Sequence, residues 1–452
     1  MAERIPGVGA AGLRAAAVAE ILPARPTAWV FASLATGQVL NFAALSVFTA
    51  CLGLERFGQY AVCLLDFTIF SNLANFALPG PSVTLAVRAR FSDRAFALAM
   101  GTRWWTSLAA VILYLAFENG FRTRSMAVTG LALAPAVMFN AAQLEWWSVA
   151  RQRWSDLIAH RLLGGAATFL LAWFWVRRSP SLPAAACAFS AGAAVSFGFL
   201  LARASEGGKG TRLPWPGPTS RRMAWLWARA LPIAITGFSD FLFLPLGYYV
   251  YRELRGENAM MGAYGAAYRV IVAASLFASS IFLVLLPRFA ARVGDPGQSL
   301  RRAFDGMAVA LALPLACAPF LAKHLLMLLF PRAGWDAATL GYAAWALAVM
   351  GLSTYLHLLR MPPLTQALAT GRSWTYCGRF LIAGAANAGA VAAGTYLGSP
   401  ESLPMWALGA DVVFTGWWLA SLYAGRPGAL WPRMLGLLAG CAAYLAWVRF
   451  WM

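Results

Sequence analysis

The sequence predicts an all-α polytopic membrane protein, with about 12–14 transmembrane helices in two six-helix lobes. Three observations carry this. Hydrophobic residues make up 60% of the 452-residue chain and charged residues only 12%, about half the charged share of a soluble domain. No soluble core of this length hides that much apolar surface. Apolar runs long enough to cross roughly 30 Å of hydrocarbon recur from Ala28 to the C-terminus. The chain also repeats itself at an offset of 204–219 residues.

The runs are predicted as helices because a spanning backbone must satisfy its own hydrogen bonds in lipid. The period-two alternation of a membrane barrel is not seen. Thirteen spans emerge: 28–52, 58–79, 95–117, 126–149, 157–176, 182–202, 225–250, 262–287, 305–329, 336–359, 376–397, 403–423 and 429–449. Pro314 and Pro319 are expected to kink the ninth. Residues 1–27 form a polar N-terminal segment, and the run after them is too long for a signal-peptide core. A Gly-, Pro- and Ser-rich stretch at 203–224 separates an N-lobe at 28–202 from a C-lobe at 225–424, and 425–452 is an extra helix.

Charge fixes the expected orientation. With the N-terminus inside, 25 of the 36 Lys and Arg residues fall in inside segments, as the positive-inside rule requires. The net charge of +19 is spread over short loops, which argues against nucleic acid as a partner. The six cysteines are scattered without metal spacing, and with three histidines the chain predicts no metal site and no cofactor.

The repeat has two parts. Gly58-Gln59-Tyr60 aligns on Gly262-Ala263-Tyr264, each followed by an apolar run, a proline (Pro79, Pro287) and an arginine cluster. Residues 153–167 resemble 372–386, with Gly165 on Gly384. Each half holds an even number of spans, so both halves share one orientation, and their pseudo-two-fold axis is expected along the membrane normal.

Leu52 to Tyr60, LGLERFGQY, resembles the LGxxxFGxY signature after the first helix of O-antigen-type polysaccharide flippases. Ala230-Leu231-Pro232-Ile233, Gly262 to Arg269, Pro287-Arg288-Phe289, Leu326 to Pro331 with Ala337-Ala338, and Ala367 to Arg372 resemble later elements of that family, in family order across 28–424. The resemblance implies a flippase carrying polyprenyl-pyrophosphate-linked oligosaccharide across the bacterial inner membrane by alternating access, N-terminus cytoplasmic. It implies a place beside a polysaccharide polymerase and a chain-length regulator. The wider superfamily includes multidrug exporters and the lipid II flippase, so an ion-coupled small-molecule exporter is the alternative. No nucleophile–base constellation or phosphate-cradling loop is present, and an enzyme is not expected.

Ionisable residues within spans are expected to face cavities or partners. Arg269, about two turns into the eighth span, is the first candidate for the pyrophosphate, with an ion pair to Asp240 as the other reading. Arg103 is the second, unless it snorkels to the inner surface. Asn41, Asn72 and Asn75 either line the central cavity or hydrogen-bond helix to helix. Asp66, Asp240, Glu145 and Asp411 are candidates for H+ or Na+ coupling, each with a paired structural role as the alternative. Many members of the resembled family carry an aspartate near the position of Tyr248, whereas here Asp240 lies about two turns earlier.

Overall fold

The computed structural model describes residues 24–79, 82, 86, 93–151, 153–205, 220–239, 244–255, 258–290, 296–331, 333–360, 373–397, 402–423 and 427–451. Fourteen α-helices run through them. In chain order they are α1 (Ala24–Asn75), α2 (Asp93–Phe121), α3 (Arg124–Ala141), α4 (Glu145–Ala150), α5 (Trp154–Leu171), α6 (Leu182–Ser205), α7 (Ser220–Ser239), α8 (Leu244–Arg255), α9 (Ala259–Ala290), α10 (Pro296–Leu329), α11 (Ala337–Leu358), α12 (Ser373–Leu397), α13 (Leu403–Tyr423) and α14 (Pro427–Trp451). Eight stretches among the described residues are long and apolar enough to cross a membrane by composition alone. The chain is an all-α, multi-pass membrane protein.

Each predicted span lies on a helix, and the differences are at the joints. The first two spans are one element, α1, broken at Gly53. Gly53 has φ 73° and ψ 166°, a region that is essentially glycine-only. The glycine of the LGLERFGQY segment is therefore the hinge that turns one crossing into the next. The fourth span stops at Ala141 and restarts as α4 at Glu145. The seventh is divided between α7 and α8, and Asp240 falls outside the described residues. The ninth stays helical through Pro314 and Pro319. The tenth starts at a reciprocal capping box. Asp336 Oδ1 accepts from the Thr339 amide at 2.7 Å, and Thr339 Oγ1 accepts from the Asp336 amide at 3.2 Å.

Helices α1 to α6 pack into one lobe, chiefly α1 on α5, α5 on α6, α3 on α6 and α1 on α3. Helices α9 to α13 build the other, through α9 on α11, α10 on α11, α12 on α13 and α11 on α13. The main seam between lobes joins the second arm of α1 to α9. Along it a Cβ on Gly58 would lie 3.0 Å from the Gly262 nitrogen, and one on Gly262 would strike the Leu54 carbonyl. Gly58 and Gly262 are the residues that the sequence repeat makes equivalent. Equivalent residues of two copies meet where the copies face each other across a two-fold axis. The lobes touch again at the far end of α1, where Leu78 packs on Leu226 and Ala230 of α7.

Candidate functional site

Among the described residues, four clusters of polar side chains bear on a candidate site. The first is the seam. Tyr248 of α8 donates its hydroxyl to the Gly58 carbonyl at 3.0 Å, and Arg269 Nη2 of α9 donates to the Ala61 carbonyl at 3.3 Å. Arg269 is partly exposed, its Nε lacks a hydrogen-bond partner, and no carboxylate among the described residues pairs with it. It is a guanidinium held at the lobe boundary by one carbonyl and the Tyr268 ring, whose centroid is 6.0 Å away.

The second cluster lies beside the seam in the N-lobe. Asp66 is fully buried and takes a bidentate grip from Arg122, Nε to Oδ2 at 2.9 Å and Nη2 to Oδ1 at 2.8 Å. Tyr249 of α8 donates its hydroxyl to the same Oδ1, so a C-lobe side chain completes an N-lobe ion pair. The Arg122 guanidinium also lies 5.3 Å from the Tyr249 ring centroid. Glu118 joins this cluster: it is buried, both carboxyl oxygens make no hydrogen bond, and its side chain lies against Gly130. Reading the third span as ending at 117 put Glu118 in a loop. The helix runs on to Phe121, and the Glu118/Arg122 spacing of four residues was the available signal.

The third is a cavity of about 220 Å³ inside the N-lobe. Gln38 and Asn41 from α1, Asn140 and Gln143 from the end of α3, Glu145 of α4, and His160 and Arg161 of α5 line it with Phe189 and Ser196 of α6. Glu145 Oε1 accepts from Arg161 Nε at 3.2 Å and Nη2 at 3.1 Å, with His160 Nε2 at 3.2 Å. His160 Nδ1 is 2.8 Å from Ser196 Oγ. Arg103 supports the cavity's 140–143 turn from outside the lining. Its Nη1 donates to the Ala141 carbonyl at 3.1 Å and the Gln143 carbonyl at 2.7 Å. A cation at these carbonyls complements the negative end of α3 and holds the 140–143 turn in place.

The fourth is a sealed pair in the C-lobe. Asp411 is gripped by Arg360 and by the Ser353 hydroxyl, and Arg360 Nη2 also donates to the Asp411 carbonyl at 3.0 Å. Both side chains are at most 2% exposed.

The sequence-derived candidates are thus dispersed. Arg269 lies on the seam and Asp66 one cluster away, while Asn41 and Glu145 share the N-lobe cavity. Asn75 accepts a 3.5 Å hydrogen bond from Arg103 Nη2, and Asn72, one turn earlier, is exposed. Asp411 is in the C-lobe, and Asp240 lies outside the described residues.

No family model matches the sequence, and no curated protein matches it. Solved structures do match. An inward-facing multidrug resistance MATE family transporter of the MOP superfamily superposes with TM-score 0.68 at 13% identity, over 86% of this chain and 95% of that one. The lipid II flippase MurJ in an inward closed conformation gives TM-score 0.68 at 12% identity, over 92% and 90%. A MOP superfamily transporter from Pyrococcus furiosus gives 0.62 at 15%, over 89% and 95%. The chain has the fold of the MOP-superfamily transporters. Within that fold α1 to α6 and α7 to α13 are the two lobes, and the Gly58/Gly262 seam lies between them.

Proposed function

We propose that the chain is a MOP-superfamily flippase of the bacterial inner membrane, N-terminus cytoplasmic, moving polyprenyl-pyrophosphate-linked oligosaccharide for surface polysaccharide assembly. The sequence elements at 28–424, in the order of the O-antigen-type flippases, and the two-lobe fold both support this. The observation that carries it is Arg269, a guanidinium at the lobe boundary with no acidic partner among the described residues. Arginine presents a fork of donors that matches phosphate oxygens. The lipid tail stays in the bilayer while the head passes between lobes that open at one end and then the other. Asp66 is the candidate for ion coupling, because the Tyr249 hydroxyl of α8 reaches its N-lobe ion pair across the seam.

The test is a deletion strain, assayed for surface polysaccharide and for lipid-linked repeat units retained inside. Export should stop and the intermediate accumulate. Arg269→Lys should restore export partly and Arg269→Ala should not. Continued export without accumulation, in a strain lacking a redundant flippase, would overturn the reading. The second reading, a small-molecule exporter, draws on the N-lobe cavity and on the multidrug transporters that share the fold. It requires drug sensitivity in the deletion strain with polysaccharide intact.

A further inference from the structure

The N-lobe cavity is a built site, and its chemistry is specific. Four primary amides converge on it: Gln38, Asn41, Asn140 and Gln143. The Gln38 and Asn41 amides make no hydrogen bond to any described residue. Among the other two, the only contact is Gln143 Nε2 to Asn140 Oδ1 at 3.1 Å. Each free amide offers donors and an acceptor together. That is the complement of a hydroxyl group, which also donates and accepts.

Charge in the cavity is already spent internally. Its one carboxylate, Glu145, is ion-paired through Oε1 with Arg161, and His160 Nε2 lies 3.2 Å from the same oxygen. An organic cation finds a carboxylate whose charge Arg161 already balances, and an anion finds the Arg161 fork directed at Glu145. Phe189 supplies an apolar wall beside the amides, suited to the C–H face of a ring. About 220 Å³ is below the roughly 300–1,000 Å³ of pockets for drug-sized ligands, so the guest is small.

The floor is rigid, as a polar site requires. Arg103, 2% exposed, fixes the 140–143 turn through two carbonyls. The cavity lies between the first arm of α1 and the early turns of α5, in the half of the N-lobe away from the Gly58/Gly262 seam. From these features we infer that the cavity is a subsite for one uncharged sugar ring of the cargo, separate from the phosphate contact at Arg269. This rests on the flippase reading and assigns the glycan and the pyrophosphate to different parts of the molecule.

The test uses the full-length protein in lipid nanodiscs. Probes are free N-acetylglucosamine and galactose, inorganic pyrophosphate, and tetraphenylphosphonium as an organic cation. Binding is read by calorimetry, and a diazirine-bearing N-acetylglucosamine maps the site by cross-linking. A sugar should bind and label peptides of α1, α5 or α6. Asn41→Leu and Gln143→Leu should each weaken it about tenfold, as expected when a ligand hydrogen bond is lost. Leu131→Ala, on the exposed face of α3, should leave it unchanged. Asn41→Ser repeats the test with a milder change, and melting temperatures show whether each variant is folded.

Sugar binding indifferent to both pocket variants overturns the inference, as does no sugar binding or tetraphenylphosphonium taking the cavity instead. Export assays in the deletion strain separate the two levels. Pocket variants that restore full export while Arg269→Ala does not would refute the sugar subsite and leave the flippase reading standing. Export independent of the chain altogether would remove the flippase reading itself.

Discussion

Tyr249→Phe is the most informative single change. It removes one oxygen, the hydroxyl that Tyr249 donates from α8 to Asp66 on α1. The ring stays in place over the Arg122 guanidinium, 5.3 Å from its centroid, and Arg122 keeps both hydrogen bonds to Asp66. The N-lobe ion pair therefore survives, and only its link across the seam is lost. A hydrogen bond to a charged group contributes about 1.5–3 kcal/mol, which shifts the balance between closed and open seam about 10- to 150-fold. The native thiol of Cys63 reads this out. Cys63 is fully buried, three residues before Asp66 and on the same face of α1. With the other five cysteines replaced by serine, its labelling by a membrane-impermeant maleimide reports the open population when opening is fast. The labelling rate should rise by that factor in Tyr249→Phe. An unchanged rate with unchanged thermal stability would show that the contact does not hold the lobes together.

Four further outcomes follow from the same geometry. Arg122→Met leaves the buried Asp66 without the guanidinium that grips it, and should cost about 3–5 kcal/mol, read as a fall in melting temperature and in yield. Asp411→Ala should destabilise by a similar amount, because Arg360 loses its carboxylate in a site at most 2% exposed. Gly262→Ala places a Cβ on the Leu54 carbonyl. It should hold the seam open, with fast Cys63 labelling and lost export, whereas Gly58→Ala, at 3.0 Å from the Gly262 nitrogen, should do so more mildly. Arg103→Lys keeps the charge but not the planar group whose Nη1 donates to the Ala141 and Gln143 carbonyls while Nη2 reaches Asn75. It should lower sugar affinity in the N-lobe cavity more than it lowers melting temperature, and equal losses would show that Arg103 acts on the fold alone.

Hydropathy placed the apolar runs on helices, and eight described stretches are long and apolar enough to cross a bilayer, because the bilayer imposes a length and a composition on each crossing. It failed at the joints, since apolar runs do not say where a helix breaks inside the membrane. The stop at Ala141 depends on Arg103, 38 residues away, whose Nη1 donates to the exposed carbonyls. Glu118 was missed for a related reason: apolarity ends before the helix does. Gly53 was visible as a motif residue, but its role as the hinge needed its backbone angles.

The sequence by itself determined an all-α, multi-pass membrane protein, because that is a property of local composition. Only the tertiary structure decided what the polar residues do. Asp66, Glu145 and Asp411 look alike as acids within or beside apolar runs. Their partners, Arg122 with Tyr249, Arg161 with His160, and Arg360 with Ser353, come from other helices. A buried charge takes its role from whichever helices pack against it, and helix packing is a long-range property. The repeat marks the limit: sequence made Gly58 equivalent to Gly262, and folding brought the two into contact.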